Sequence, residues 1–317
     1  MNKTTTAYNL LINAPQQYFD EETVGVFRSL GTVDRKNYSS AALKQCISAY
    51  DVLVIRVDTI VDKELLDAAH LKVIATATTG VNHIDMDYAK QKGVEVISLQ
   101  GANTTPTAEH VFALLLCLIR KLPAAFDSLR SGKWNRADFI GTSLKGKKMG
   151  IVGFGRIGQH VGRIAQAFGM EICAFDPYVP KELFQKNHAT QMELDVLLQE
   201  ADVITLHMFL SDETNGMFTL EKFQLMKKNA VVINCSRGAV LVEVDLVTAL
   251  QEGIIAGAAL DVYCKEPLPK DHVLVAYAKN HDNLILTPHI AGSTVEAAHE
   301  AGMDVATKTK NFLCHKL

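Results

Sequence analysis

Short apolar, β-branched runs alternate with longer amphipathic stretches along almost the whole chain. The runs predict strands at 10–13, 52–56, 73–76, 94–98, 149–153, 172–175, 203–207, 231–234, 255–259 and 284–287. Many are continuously apolar rather than alternating, as in parallel strands covered on both faces. The 3.6-residue period predicts helices between them, for example at 156–168, 193–200, 220–226 and 243–251. Strand–helix alternation builds right-handed βαβ units, and so an α/β fold of doubly wound parallel sheets.

Two further helices bear on domain organisation. An apolar helix is predicted at 108–122, closed by Pro123 and followed by a polar, Gly-containing stretch at 128–146. Another, at 294–312, has no strand after it. One arrangement fits both: a first domain of residues 1–101 and 291–317, with a second domain of residues 102–290 inserted into it.

Composition then removes several function classes. The chain has 317 residues, 48% of them hydrophobic, which suffices for sizeable cores. Its net charge of −3 offers no basic excess for nucleic acid or an anionic membrane surface. The longest apolar run, 111–119, falls far short of the ~20 residues of a membrane span. The first residues lack the apolar core of a signal peptide. The six cysteines are scattered with no C-x-x-C pair, so neither a disulfide framework nor a zinc or other metal site is expected. A cytoplasmic protein is the expectation.

The first chemical motif is Gly153-Phe154-Gly155-Arg156-Ile157-Gly158, directly after a strand and opening a helix. In that context G-x-G-x-x-G lets the backbone turn tightly and present helix N-terminal N–H groups to a pyrophosphate. Asp176 lies 18 residues past Gly158, at the end of the next strand. A carboxylate there can accept both ribose hydroxyls of NAD, and it would repel the 2′-phosphate of NADP.

The later strands each end in unusual residues: His207; Cys235-Ser236-Arg237-Gly238; Asp261 with Glu266-Pro267 following; and Pro288-His289. In a doubly wound sheet these ends share the crevice where ligands bind. Arg237, Glu266 and His289 form a chemically coherent trio. A guanidinium can grip a carboxylate and polarise a neighbouring carbonyl. A histidine can exchange a proton, and a glutamate bonded to it favours the imidazolium. Beside a nicotinamide, the set fits reversible oxidation of a 2-hydroxy acid to a 2-oxo acid without a metal.

These motifs resemble those of the D-2-hydroxyacid dehydrogenase family over nearly the whole chain. The resemblance extends to Thr107-Ala108-Glu109-His110, Gly257-Ala258-Ala259-Leu260-Asp261-Val262 and Pro288-His289-Ile290-Ala291-Gly292-Ser293-Thr294. It implies two flavodoxin- or Rossmann-like lobes, the NAD lobe inserted into the substrate lobe, and a homodimer formed through the NAD lobes. It assigns Arg237 to substrate orientation, Glu266 to tuning of the acid/base, and His289 to proton transfer. Thr79, Gly153, Gly155, Arg156, Ile157, Gly158, Asp176, His207, Met208, Cys235, Ser236, Arg237, Asp261, His289 and Gly292 fall at cofactor-contacting positions. Gly80 and Val81 would bind the substrate carboxylate, with Thr79 and Arg237. Within the family the likeness is to phosphoglycerate dehydrogenases in a form without a regulatory domain, and it adds two candidate phosphate ligands: Arg56, and Arg136 reaching into the partner subunit's site. Three departures stand out: Thr76 where many such enzymes have a further arginine, Phe209 in place of a proline, and a single acid, Glu243, in place of an acidic pair. Three other readings stay open: a general 2-oxo acid reductase acting on glyoxylate or hydroxypyruvate, a formate dehydrogenase, and an NAD-sensing corepressor on the same fold. Formate dehydrogenases carry an amide at the position of Glu266, which counts against that reading.

Overall fold

A computed structural model describes residues 7–99, 101 and 103–315. The chain divides into two compact units, one built from the chain up to Asn103 and again from Ser293 onward, the other spanning Thr104–Gly292.

The first unit holds a parallel sheet of β1 (Tyr8–Asn13), β2 (Gly31–Lys36), β3 (Val52–Ile55), β4 (Val73–Thr76) and β5 (Glu95–Ile97), in the order β2-β1-β3-β4-β5. That is the flavodoxin order, with its switch point between β1 and β3. The final helix, Val295–His315, belongs here: its Ala301, Val305, Ala306 and Leu313 share a core with Leu10, Val54 and Val73.

The second unit holds a seven-stranded parallel sheet: β6 (Lys148–Val152), β7 (Glu171–Phe175), β8 (Thr190–Gln191), β9 (Val203–Leu206), β10 (Val231–Asn234), β11 (Gly257–Leu260) and β12 (Leu284–Leu286). Its order, β12-β11-β10-β9-β6-β7-β8, is the Rossmann order with one added strand, and its switch point lies between β6 and β9. The central strands are buried along their length, which is why they read as unbroken apolar runs. The fold class is therefore α/β with two doubly wound parallel sheets, one of each kind.

Several elements differ from the sequence expectation. The apolar helix runs Thr104–Ile119 and ends before Pro123. Pro123 sits instead in the first turn of a separate helix, Leu122–Arg130, where its missing N–H costs nothing. β2 and β8 were not expected: β2 alternates half-buried and exposed residues at a sheet edge, and β8 has only two residues. Among the described residues, no helix is long and apolar enough to cross a membrane.

Candidate active site

The register of the second sheet aligns the last residues of its strands. Phe175 pairs with Val152, Val152 with Leu206, Leu206 with Asn234, Asn234 with Leu260, and Leu260 with Leu286. The next residue of each strand therefore joins one row along the carboxyl edge: Asp176, Gly153, His207, Cys235, Asp261 and Thr287. Sequence positions up to 134 residues apart converge because the strands are parallel and nearly equal in length.

The centre of this row fits a dinucleotide. Gly153 has φ +93, and a Cβ there would lie 2.6 Å from the backbone of His207. At Gly158 a Cβ would lie 2.2 Å from the Gly153 carbonyl oxygen, so this glycine lets the helix Arg156–Ala167 pack onto the strand end. At Gly155 a Cβ would meet nothing within 4 Å, which leaves the space over the loop open. Gly155 is also the helix N-cap and has no side chain to satisfy the first N–H groups, leaving them available to an anion. Asp176 accepts from Phe154 N–H (2.8 Å) and Tyr178 N–H (3.0 Å), which fixes the carboxylate beside the loop. His207 bonds Thr205 Oγ1 through Nε2 (2.8 Å), and its Nδ1 is buried without a partner. Burial pushes its pKa down to about 3, so the ring is neutral. The chain's own residues thus fit the nucleotide expected here. Arg156 is exposed, whereas Ile157, Met208 and Gly292 are half-buried and Cys235 and Ser236 buried. Phe209 is 85% exposed on the neighbouring loop.

The catalytic trio assembles on the β10–β12 side. Asn234 is buried and folds the turn after β10, accepting from Ser236 N–H and Oγ and donating to the Arg237 carbonyl. This directs the Arg237 guanidinium back over Ser236, whose carbonyl it contacts at 2.7 Å. A Cβ on Gly238 would lie 1.9 Å from the Tyr263 backbone carbon, so only glycine lets the β10 and β11 loops touch. Glu243 accepts the Cys264 N–H (2.9 Å), tying the same two loops together. In the β11 loop, Glu266 takes the Tyr263 N–H with Oε1 (3.0 Å) and faces His289 Nδ1 with Oε2 (2.7 Å). The Glu266 bond raises the His289 pKa above its ordinary value against the effect of burial. Burial works to raise that of Glu266, but His289 and the Tyr263 amide outweigh it and hold the carboxyl below its usual range. Arg237 lies close enough to both to act on them electrostatically. With Nδ1 engaged, His289 has Nε2 free to exchange a proton, and its side chain keeps 42% exposure.

Asp261 stands in this row at the end of β11, with its carboxylate enclosed by protein. It has no exposed surface, and its oxygens accept from Thr287 Oγ1 (2.6 Å), Ile290 N–H (2.9 Å) and Ala291 N–H (2.8 Å). Its contacts are to the loop that carries His289. Tyr263, Glu243 and Asn234, which brace the trio, were not among the sequence candidates. Glu243 had a signal as the single acid after Arg237-Gly238, but backbone clamps of this kind have no spacing signature.

Arg136 lies away from this edge of its own chain, as a residue expected to serve the partner subunit's site would. Its loop lines a cavity of about 890 Å³ with Lys147, Asp202, Asn229, Ala256 and Asn283, residues that precede strands, so it lies at the opposite, amino edge of the sheet. In the first unit, Arg56 follows β3 and lays its guanidinium 3.9 Å over the Tyr18 ring. It forms no salt bridge among the described residues. Thr76 is fully buried, and its hydroxyl meets Thr78 Oγ1 (2.8 Å) and His83 Nε2 (3.1 Å), a cluster with no fixed cation. Burial lowers the His83 pKa. Thr78 also donates to the Gly80 carbonyl (2.8 Å), shaping the Thr79-Gly80-Val81 loop.

Residues 112–291 match the D-isomer specific 2-hydroxyacid dehydrogenase family, NAD binding domain. The chain belongs to the D-isomer specific 2-hydroxyacid dehydrogenases. The second unit is its NAD-binding domain, and NAD is its cofactor. Like this family member, a D-3-phosphoglycerate dehydrogenase of Archaeoglobus fulgidus is 41% identical over 267 residues, which cover 84% of this chain and 50% of that one. One from Synechocystis is 37% identical over 296 residues, covering 93% and 52%. The chain spans about half the length of these curated relatives. A crystal structure of D-lactate dehydrogenase from Aquifex aeolicus complexed with NAD and lactic acid has a TM-score of 0.84 and 28% identity, covering 97% of this chain and 96% of that one.

Proposed function

We propose that the protein is an NAD-dependent dehydrogenase interconverting a small D-2-hydroxy acid and its 2-oxo acid. The observation that carries this reading is the Glu266–His289 pair beside Arg237, on the sheet edge that also holds the nucleotide loop. Bound NAD supplies the hydride chemistry. In the reducing direction Arg237 binds the substrate carboxylate and polarises the carbonyl. His289, held as imidazolium by Glu266, gives its Nε2 proton to the carbonyl oxygen as the carbon is reduced. In oxidation the neutral ring takes that proton back. Asp176 at the ribose corner favours NAD over NADP.

Within this class we assign 3-phosphoglycerate and 3-phosphohydroxypyruvate as the substrate pair. The names of the curated relatives support this, as does the unpaired Arg56 guanidinium, preorganised on Tyr18. The neutral Thr76–Thr78–His83 cluster favours a second reading, a general reductase of glyoxylate or hydroxypyruvate, because it adds no fixed cation for a phosphate. Comparing kcat/KM for 3-phosphohydroxypyruvate, hydroxypyruvate, glyoxylate and pyruvate with NADH decides between them. The phosphate reading expects 3-phosphohydroxypyruvate to lead, and Arg56→Gln to raise its KM roughly tenfold, a lost charge-assisted contact of ~1.5–3 kcal/mol. Faster reduction of glyoxylate, with KM unmoved by Arg56→Gln, would leave the general reductase. No turnover of any 2-oxo acid would favour the corepressor-like alternative.

We further propose a homodimer through the second unit. Leu122, Phe126 and Leu129 follow helical spacing and are 48%, 63% and 58% exposed, and Trp134 and Ile140 nearby are each 76% exposed. A second copy covering this face would bury that patch.

A further inference from the structure

His289 is one of three described non-glycine residues with positive φ, at 53°. A conformation of that kind persists only where its surroundings over-determine it. What holds it here is Asp261, through the N–H groups of Ile290 and Ala291, the two residues that follow. A fully buried carboxylate must in turn be compensated by donors.

The remaining donor comes from the long helix Thr104–Ile119. His110 Nε2 lies 3.3 Å from Thr287 Oγ1 and 3.4 Å from Asp261 Oδ1. Thr287 has a single hydroxyl proton, which goes to Asp261 at 2.6 Å, so the Thr287 oxygen accepts from His110 Nε2–H. The hydrogen bonds run from His110 to Thr287, on to Asp261, and so to the backbone of the His289 loop. Val111, Leu114 and Leu115 are buried on the same helix and give it a rigid seat. We propose that His110, acting through Thr287 and Asp261, is a positioning residue for His289. The proposal rests on the dehydrogenase reading for its kinetic consequence, but not for its structural one.

The direction of the pH effect follows from the groups that face Asp261. These are His110 from the helix, Cys235 after β10, Tyr263 and Glu266 after β11, and His289. Burial works to raise the Asp261 pKa. The bonds from His110, Thr287 and the two amides outweigh it and keep the carboxyl below its ordinary value. Without His110, Asp261 takes up a proton at higher pH. A neutral acid holds the two amides less well, so the His289 loop loosens on the acid side. His289 also loses a neighbouring negative charge and its fixed approach to Glu266, and both changes lower its pKa.

Two readouts test this in the whole protein. The first is the pH dependence of 2-oxo acid reduction in wild type, His110→Leu, His110→Gln and Thr287→Val. His110→Leu and Thr287→Val are expected to gain an acid limb, with kcat down roughly 10–100-fold at the acid end, the scale of a misplaced catalytic group. His110→Gln keeps a donor and is expected to restore the wild-type profile. The second is the NMR titration of the His289 ring without substrate, whose midpoint is expected to move down in His110→Leu and Thr287→Val and to return in His110→Gln. A profile and midpoint unchanged in folded His110→Leu would overturn the proposal. A uniform rate loss at every pH, with the His289 midpoint unmoved, would also overturn it. If wild type reduced no 2-oxo acid, the dehydrogenase reading would fail, and the ring titration would still decide the role of His110.

Discussion

Glu266 and His289 illustrate how two side chains acquire a function that neither has alone. Without a partner, His289 would be held below its ordinary pKa by its partial burial. At 2.7 Å from Glu266 its cationic form is stabilised and its pKa raised. Glu266→Gln removes the charge, so the His289 pKa falls and the imidazolium is lost at lower pH. The alkaline limb of the reduction rate should therefore move to lower pH, with turnover slowed several-fold along that limb and little changed on its acid side. A pH–rate profile superimposable on wild type would break the link between the two residues. At this scale much of the site could be read from the chain, because Arg237, Glu266 and His289 each follow a strand. The fate of Asp261 was not legible: only the fold reveals that Thr287, Ile290 and Ala291 enclose its carboxylate.

Among the elements, the strands that build the site were the easiest to predict. β9, β10 and β11 are buried on both faces, so burial leaves an unbroken apolar run in the sequence. β2 escaped because a half-exposed edge strand needs polar residues, and the pairing that makes it a strand is non-local. Pro123 misled because the residue that cannot continue one helix is equally suited to open the next. Contacts between loops left fewer traces still. Gly238 reads as a member of a motif, but its structural duty is to admit the Tyr263 backbone. Gly238→Ala should force the β10 and β11 loops apart, costing about 1–3 kcal/mol of stability on the scale of an overpacked core. Urea denaturation reads this directly. An unchanged midpoint with full activity would mean that the loops do not touch as described.

At the scale of the whole molecule, the insertion follows from two helices: one leads into the second unit, and the other, Val295–His315, packs on the first sheet. The two sheets have different strand orders, flavodoxin and Rossmann, a distinction that periodicity cannot supply because it carries no information on which strands are neighbours. The exposed apolar patch around Phe126 belongs to this scale too. Trp134 is the only tryptophan in the chain, so its emission reports on that face. Sedimentation should give a dimer, and Phe126→Glu with Leu129→Glu should give a monomer with red-shifted emission. A wild-type monomer at micromolar concentration would contradict the assignment of the patch.

In the proposed reaction His289 supplies the proton for reduction of a 2-oxo acid by NADH at the edge of the second sheet. This role is tested most directly by following NADH consumption with 3-phosphohydroxypyruvate, glyoxylate and pyruvate for wild type and His289→Asn, with NADH binding measured for both by fluorescence. Wild type is expected to turn over at least one of these acids. His289→Asn is expected to lose about 10²–10⁴-fold in kcat, with NADH affinity retained. Retention by His289→Asn of more than a tenth of the wild-type kcat would contradict that role.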